Sequence, residues 1–173
     1  MTLTNVLGVL TLLGNLFIVG TVAALLYEKV TKKKCSYFSF FKEWGLHMAF
    51  IVLLSGMLGS LAYSELIGFE PCLLCWWARI FMYPQVILLG LALWKKDKSV
   101  VRYVMPLTVI GTLVGAYHYV IQNYLRSAAP CTADAVSCGA IYFKEFGYIT
   151  MPMMGLTAFV LAGVLYWIVA YRK

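Results

Sequence analysis

Phe69-Glu70-Pro71-Cys72-Leu73-Leu74-Cys75-Trp76-Trp77-Ala78-Arg79 stands where one long apolar run of the chain ends and the next begins. A Cys-x-x-Cys pair can close a small disulfide ring suited to opening and closing rather than to stapling a fold. Pro71 sets the backbone just ahead of Cys72 and suits the start of a helix. A helix starting there carries both sulfurs in its first turn, where free backbone N–H groups and the positive end of the helix dipole favour thiolates. Arg79 follows Cys75 by four residues, on the same helical face, and adds a full positive charge. The alternatives are a structural disulfide and half of a zinc site. No second Cys-x-x-C pattern completes a zinc site, and His47 and His118 fall in different apolar runs, so no metal is expected.

Outward from this junction the chain is apolar almost throughout. Of its 173 residues 62% are hydrophobic and 12% charged, the balance of a polytopic membrane protein. The net charge of +7 suggests nucleic acid, but the charges cluster at the ends of apolar runs and no nucleic-acid partner is expected. The runs are about Leu3 to Tyr27, Gly45 to Leu66, Trp76 to Trp94, Val101 to Tyr124 and Ile149 to Tyr171, each long enough to span a bilayer. Pro84 is expected to kink the third. In the first run the positive charges follow the apolar stretch. A cleaved signal peptide carries them before it, so this run reads as a retained helix despite a weak cleavage-like Val22-Ala23-Ala24. The aromatic and basic segment from Cys35 to Trp44 is expected to lie at the membrane surface.

Orientation follows from lysine and arginine. If the loop holding Lys29 to Lys42 faces the cytoplasm, so do the Lys95–Arg102 loop and the C-terminus. Eleven of the fourteen basic residues are then cytoplasmic, leaving Arg79, Arg126 and Lys144 on the other side. The N-terminus lies outside, the C-terminus inside, and the Cys-x-x-Cys pair outside, where disulfides persist. Cys35 falls on the reducing side and reads as a free thiol without function.

Pro130-Cys131-Thr132-Ala133-Asp134-Ala135-Val136-Ser137-Cys138-Gly139 is a polar loop on that same outer face. A disulfide across it is either a staple or the second of two exchanging pairs. Having both pairs on one face favours stepwise thiol–disulfide exchange, in which the loop pair meets a soluble partner and the helix-start pair passes electrons on. Gly139 to Tyr148 suits a short helix in the interface or an ordinary aromatic belt. The electrons need an acceptor. The chain has no Gly-rich nucleotide fingerprint. A haem held by His47 and His118 would have to bridge a depth difference of roughly 20 Å. A membrane quinone is the acceptor the bilayer supplies. Arg79 is placed to bond a quinone oxygen beside a Cys75 thiolate, and His118 is at the depth to line the same pocket or simply to pack. Trp76, Trp77 and Tyr83 read as interface anchors.

Pro71-Cys72-Leu73-Leu74-Cys75 with Arg79, followed by Cys131 and Cys138, resembles the DsbB family of disulfide-bond formation proteins. Tyr117-His118-Tyr119, Gly147-Tyr148-Ile149-Thr150-Met151-Pro152 and Leu156-Thr157-Ala158-Phe159 are most similar to its BdbC branch. The resemblance covers about Gly45 to the C-terminus. In the related vitamin K epoxide reductase family the loop pair precedes the Cys-x-x-Cys; here it follows. The resemblance implies an all-α membrane protein with a four-helix bundle core over residues 45–173 and redox loops at 67–75 and 126–148; the N-terminal transmembrane helix and its basic loop, residues 1–44, are extra to that core. It implies a protein-dithiol:quinone oxidoreductase of the bacterial cell (inner) membrane, using ubiquinone or menaquinone. Its partner would be a thioredoxin-fold oxidase of DsbA or BdbD type, reoxidised so that exported proteins gain disulfides. By the same resemblance Cys131 forms the mixed disulfide with the partner, Cys138 exchanges with Cys72, Cys75 is the thiolate beside the quinone, and Arg79 is the quinone-site arginine. Ala78 stands where many members carry Gln or Glu, which removes a possible second hydrogen bond. The resemblance assigns the first helix no role; it packs on the side of the bundle or binds another membrane protein. A membrane subunit with purely structural disulfides is the alternative function, and the same parts run backwards make a quinol-driven reductase.

Overall fold

A computed structural model describes residues 2–31, 37–125 and 137–171. Cys35, Arg126 and Cys131 lie outside the described residues, as do the basic residues 32–34 and 172–173. Five helices carry the fold: α1 (Thr2–Thr31), α2 (Tyr37–Leu61), α3 (Leu73–Lys95), α4 (Val101–Tyr124) and α5 (Met151–Tyr171). Each is long and apolar enough to cross a membrane. In lipid every backbone polar group must be paired within the chain, and a helix does so internally. The described residues form no β-strand beyond one isolated bridge, as an all-α membrane protein requires.

α5 is the hub of the bundle. Half of its apolar window (50%) is buried, against 17% for α1, and it packs against α2, α4 and α1. Its Phe159, Ala162, Leu165, Tyr166 and Ile168 are fully enclosed among Leu53 of α2, Leu89 of α3 and Val104 of α4. Gly111 lets α4 approach: a Cβ there would lie 2.6 Å from Cζ of Phe159. A polar node sits in this apolar core. Thr108 Oγ1 donates to Gln85 Oε1 at 2.7 Å and the Tyr166 hydroxyl donates to the same oxygen at 3.2 Å. This joins α3, α4 and α5 by the interhelical hydrogen bonding that lipid makes useful. Pro84 sits within an unbroken α3.

Two expectations are corrected. The helix of the second apolar run begins at Tyr37 rather than near Gly45, so residues 37–44 are the first turns of α2. Phe38 and Phe41, three residues apart on one helical face, are buried, and Phe41 meets the Phe17 ring of α1 at 5.0 Å. The stretch 139–148 is not a helix. It is a series of turns closed by a bridge between Glu145 and Ile149, with Phe146 (φ 48°) and Gly147 (φ 79°) both left-handed, a conformation that interrupts a right-handed helix. The tight connection after α3 also uses a left-handed residue, Lys96 (φ 54°), and then Asp97, whose carboxylate accepts the Ser99 amide at 2.8 Å. That amide holds the Asp97 carboxyl below its usual range.

α1 packs on the side of the bundle against α5. Its first turns lie at the end of the bundle where α3 starts, with Gly8 against the Glu145 side chain.

Candidate redox site

The turn of the chain into α3 places the cysteine pair. Cys72 is the N-cap in extended conformation, Pro71 just precedes it, and Trp76 N–H donates to the Cys72 carbonyl at 3.1 Å. Cys75 is therefore in the first helical turn, as the spacing predicts. The two Sγ atoms are 3.1 Å apart, Cys72 donating and Cys75 accepting. That bond, together with burial, pushes the Cys72 thiol up to about 12. The helix-start argument favours thiolates at both positions; the structure separates them, because the sulfur that donates must keep its proton.

α4 supplies the opposite wall. His118 is buried and its Nε2 lies 3.7 Å from Cys72 Sγ. The sequence reading placed His118 at the right depth but left it open between lining and packing; it meets the pair. Cys72, Cys75 and His118 hold their ligand atoms within 4.8 Å of one another, a grouping that residence in different apolar runs conceals. When both sulfurs are reduced, such a set could hold a thiophilic ion; a disulfide between them would withdraw two of the three ligands. One turn beyond His118, Gln122 Nε2 donates to the Ala140 carbonyl at 2.7 Å. This pins the turn Ser137–Ala140, itself closed by Ala140 N–H to the Ser137 carbonyl at 3.0 Å. The pinned turn buries Cys138 in one cluster with Cys72, Leu74 and Ile121, against which Cys75 packs. Sequence reasoning missed Gln122; its spacing of four from His118, on one helical face, was the available signal.

The loop ahead of α3 and the segment after Cys138 are held together by rings. Phe69 stacks on Tyr142 at 4.4 Å between centroids, and Tyr63 stacks on Phe143 at 5.3 Å and on Phe69 at 6.0 Å. The Tyr142 hydroxyl donates to the Glu70 carbonyl at 3.3 Å, and burial raises its ionisation above the ordinary phenol range. Aromatic pairs of this kind contribute ~0.5–1.5 kcal/mol each beyond their buried area.

Arg79 is fixed by α2. Its Nε donates to Ser60 Oγ at 2.9 Å, and its Nη2 donates to the Ser60 carbonyl at 2.9 Å and to Ser64 Oγ at 3.1 Å. The guanidinium lies over the Trp76 ring at 5.4 Å, so Trp76 is more than an interface anchor. α2 ends in a π-helical turn, Ala62–Leu66. Such wider turns shift the backbone pairing and recur at functional sites; here Ser60 and Ser64 flank its start. Ala78 adds no polar group, as its side chain dictates.

Between these elements lies a cavity of 340 Å³. Cys75, Arg79 and His118 line it together with apolar residues such as Ile51, Met82, Leu156 and Leu161. A charged donor, a sulfur and an imidazole in a mostly apolar cavity are the makings of a small-molecule site. His47 stands apart, exposed beside Trp44 near the other end of α2.

The family model described as disulfide bond formation protein DsbB matches residues 42–169. The chain is 41% identical over 143 residues to a probable disulfide formation protein C 1 of Bacillus anthracis, covering 82% of this chain and 99% of that protein. It is 42% identical over 118 residues to disulfide bond formation protein C of Bacillus subtilis (67% of this chain, 85% of that protein). A probable disulfide formation protein of Coxiella burnetii is 37% identical over 124 residues (70% and 84%). No solved structure matches the chain.

Proposed function

We propose, from the fact that this chain belongs to the DsbB family of disulfide bond formation proteins, that it is a membrane protein-dithiol:quinone oxidoreductase. The observation that carries the reading is the convergence of Cys72, Cys75 and Cys138 with Arg79 and His118 in the lining of one mostly apolar chamber. The net reaction is partner dithiol plus quinone to partner disulfide plus quinol. The quinone supplies a two-electron, two-proton acceptor soluble in the bilayer, and Arg79 and His118 would hold it beside Cys75.

The chain's own residues act in sequence. A thiolate of a reduced thioredoxin-fold oxidase attacks Cys131 of a Cys131–Cys138 disulfide, forming a mixed disulfide and releasing Cys138 as thiolate. The partner's second thiolate attacks its own mixed disulfide and leaves oxidised. Cys138, packed in the Cys72 cluster, attacks Cys72 of a Cys72–Cys75 disulfide and expels Cys75 as thiolate. Cys131 then closes on Cys138 and frees Cys72, which takes a proton. The raised ionisation of Cys72 favours this outcome, since it keeps the proton on Cys72 rather than on Cys75. Cys75 hands the electron pair on and re-forms its bond to Cys72. The distribution of lysine and arginine orients this end of the bundle outward, with the C-terminus cytoplasmic, so the partner is met on the oxidising side.

The test is loss of quinone absorbance on mixing purified protein with a reduced thioredoxin-fold oxidase and a soluble quinone. Loss in the wild type, absent in Cys75→Ser, supports the reading, and Cys131→Ser should abolish partner turnover. No loss with several quinones, in protein shown to be folded, returns the disulfides to a structural role.

A further inference from the structure

The chamber has a wall that the family core does not supply. The family match starts at residue 42, whereas Leu7, Leu10, Thr11 and Gly14 of α1 line the same cavity as Cys75, Arg79 and His118. The seat of α1 is built from close fits. A Cβ at Gly59 would lie 3.0 Å from Leu7 Cδ1, and a Cβ at Gly14 would lie 3.1 Å from Cγ2 of Thr157 on α5. One polar side chain sets the rotation of the helix. Asn15 Oδ1 accepts from Thr157 Oγ1 at 2.9 Å, and its Nδ2 donates to the Tyr148 hydroxyl at 3.3 Å. Tyr148 is held in turn by Tyr119, whose hydroxyl donates to the Tyr148 carbonyl at 3.3 Å. An amide in an apolar helix has few partners in lipid, so two specific ones fix which face of α1 turns inward. That face is Leu7, Thr11 and Gly14, at helical spacing.

The chamber is deeper than a ring needs. Its lining includes Cys138 and Tyr142 and runs along α5 from Met151 to Leu161, ten residues or about 15 Å of helix. Most of the lining that α1, α2 and α5 contribute is apolar.

We infer that α1 is a specificity element for the acceptor's tail: with the quinone ring at Arg79 and Cys75, its hydrocarbon chain runs down the Leu7–Thr11–Gly14 face. This rests on the quinone reading above and adds to it the part of the acceptor that this chain selects. Without α1 the same tail would lie against lipid, which discriminates little between apolar chains. With α1 in place the tail meets fixed side chains, and a tail denied that seat loses packing contacts that fluid lipid does not reproduce.

The experiment uses the full chain in detergent with two probes. The first is a decyl-tailed benzoquinone carrying a photoreactive diazirine at the tail end, with labelled residues mapped by mass spectrometry. Label between Leu7 and Gly14 is expected; label confined to α2–α5 overturns the inference. The second compares KM for a decyl-tailed quinone with KM for the same ring bearing no tail, in the wild type, Gly14→Leu and Asn15→Leu. The ratio of tailed to tail-less KM should rise in both variants. An unchanged ratio overturns the inference while leaving the quinone reading intact. A wild type that reduces neither quinone overturns both.

Discussion

Replacing Arg79 by lysine isolates what the arginine contributes beyond its charge. The guanidinium reaches Ser60 Oγ and the Ser60 carbonyl at 2.9 Å each and Ser64 Oγ at 3.1 Å, using two nitrogens in one plane, and it stacks over Trp76. A lysine keeps the charge on a single nitrogen and cannot reproduce the fork. At least one bond to a charged group is lost, each contributing about 1.5–3 kcal/mol. Arg79 is only partly buried, and solvent screening selects the lower end. About 1.5 kcal/mol is roughly tenfold, so quinone kcat/KM in Arg79→Lys should fall about tenfold. Ser64→Ala, which leaves two of the three bonds, should fall less, and Arg79→Ala more. The assay is quinone reduction at saturating partner with quinone varied. Arg79→Lys within twofold of the wild type would show that the fork to α2 does not position the acceptor end of the site.

Three further outcomes follow from other contacts. In the reduced protein, alkylation by iodoacetamide below pH 9 should spare Cys72, because its bond to Cys75 pushes its ionisation up to about 12; removing that acceptor in Cys75→Ala lowers the ionisation and moves the Cys72 alkylation profile to lower pH, read by mass spectrometry across a pH series. An unmoved profile would show that burial, not the Cys75 sulfur, holds the proton. Gly111→Val should destabilise the bundle by about 1–3 kcal/mol through overpacking against Phe159, measured as a lowered thermal midpoint in detergent. Gln85→Leu should cost about 1–3 kcal/mol by taking the acceptor from the buried Tyr166 hydroxyl, while Thr108 keeps the Val104 carbonyl at 2.9 Å, whereas Tyr166→Phe, which leaves the 2.7 Å Thr108 bond in place, should cost less.

Much of this protein could be read from local features of the chain. Five apolar runs of spanning length became five helices because the bilayer leaves a backbone few alternatives. Cys72 and Cys75 fell at a helix start because Pro71 and an apolar run specify one there, and Arg79 fell near them because four residues is one helical turn. Local reading failed where a segment had two possible uses. The second run was expected from Gly45, yet α2 starts at Tyr37, since Phe38 and Phe41 had a core to enter. The segment after Cys138 carried apolar residues at helical spacing, yet Phe146 and Gly147 adopted left-handed turns and its rings stacked on Tyr63 and Phe69.

What the sequence by itself determined was therefore the set of helices, the position of the Cys-x-x-Cys pair at a helix start and the asymmetry of basic charge, each a property of neighbouring residues or of simple counts. Only the tertiary structure decided that His118 meets Cys72, that Gln122 carries the Cys138 turn to the pair, that Arg79 is gripped by Ser60 and Ser64, and that α1 walls the chamber. Those four facts depend on how each helix is rotated about its axis. Rotation is set by small-residue contacts such as Gly14 on Thr157 and by single polar bonds such as Asn15 to Tyr148, between residues up to 143 positions apart (Gly14 and Thr157, 157 less 14). Helices that are apolar on nearly every face carry no periodic signal from which that rotation could be read.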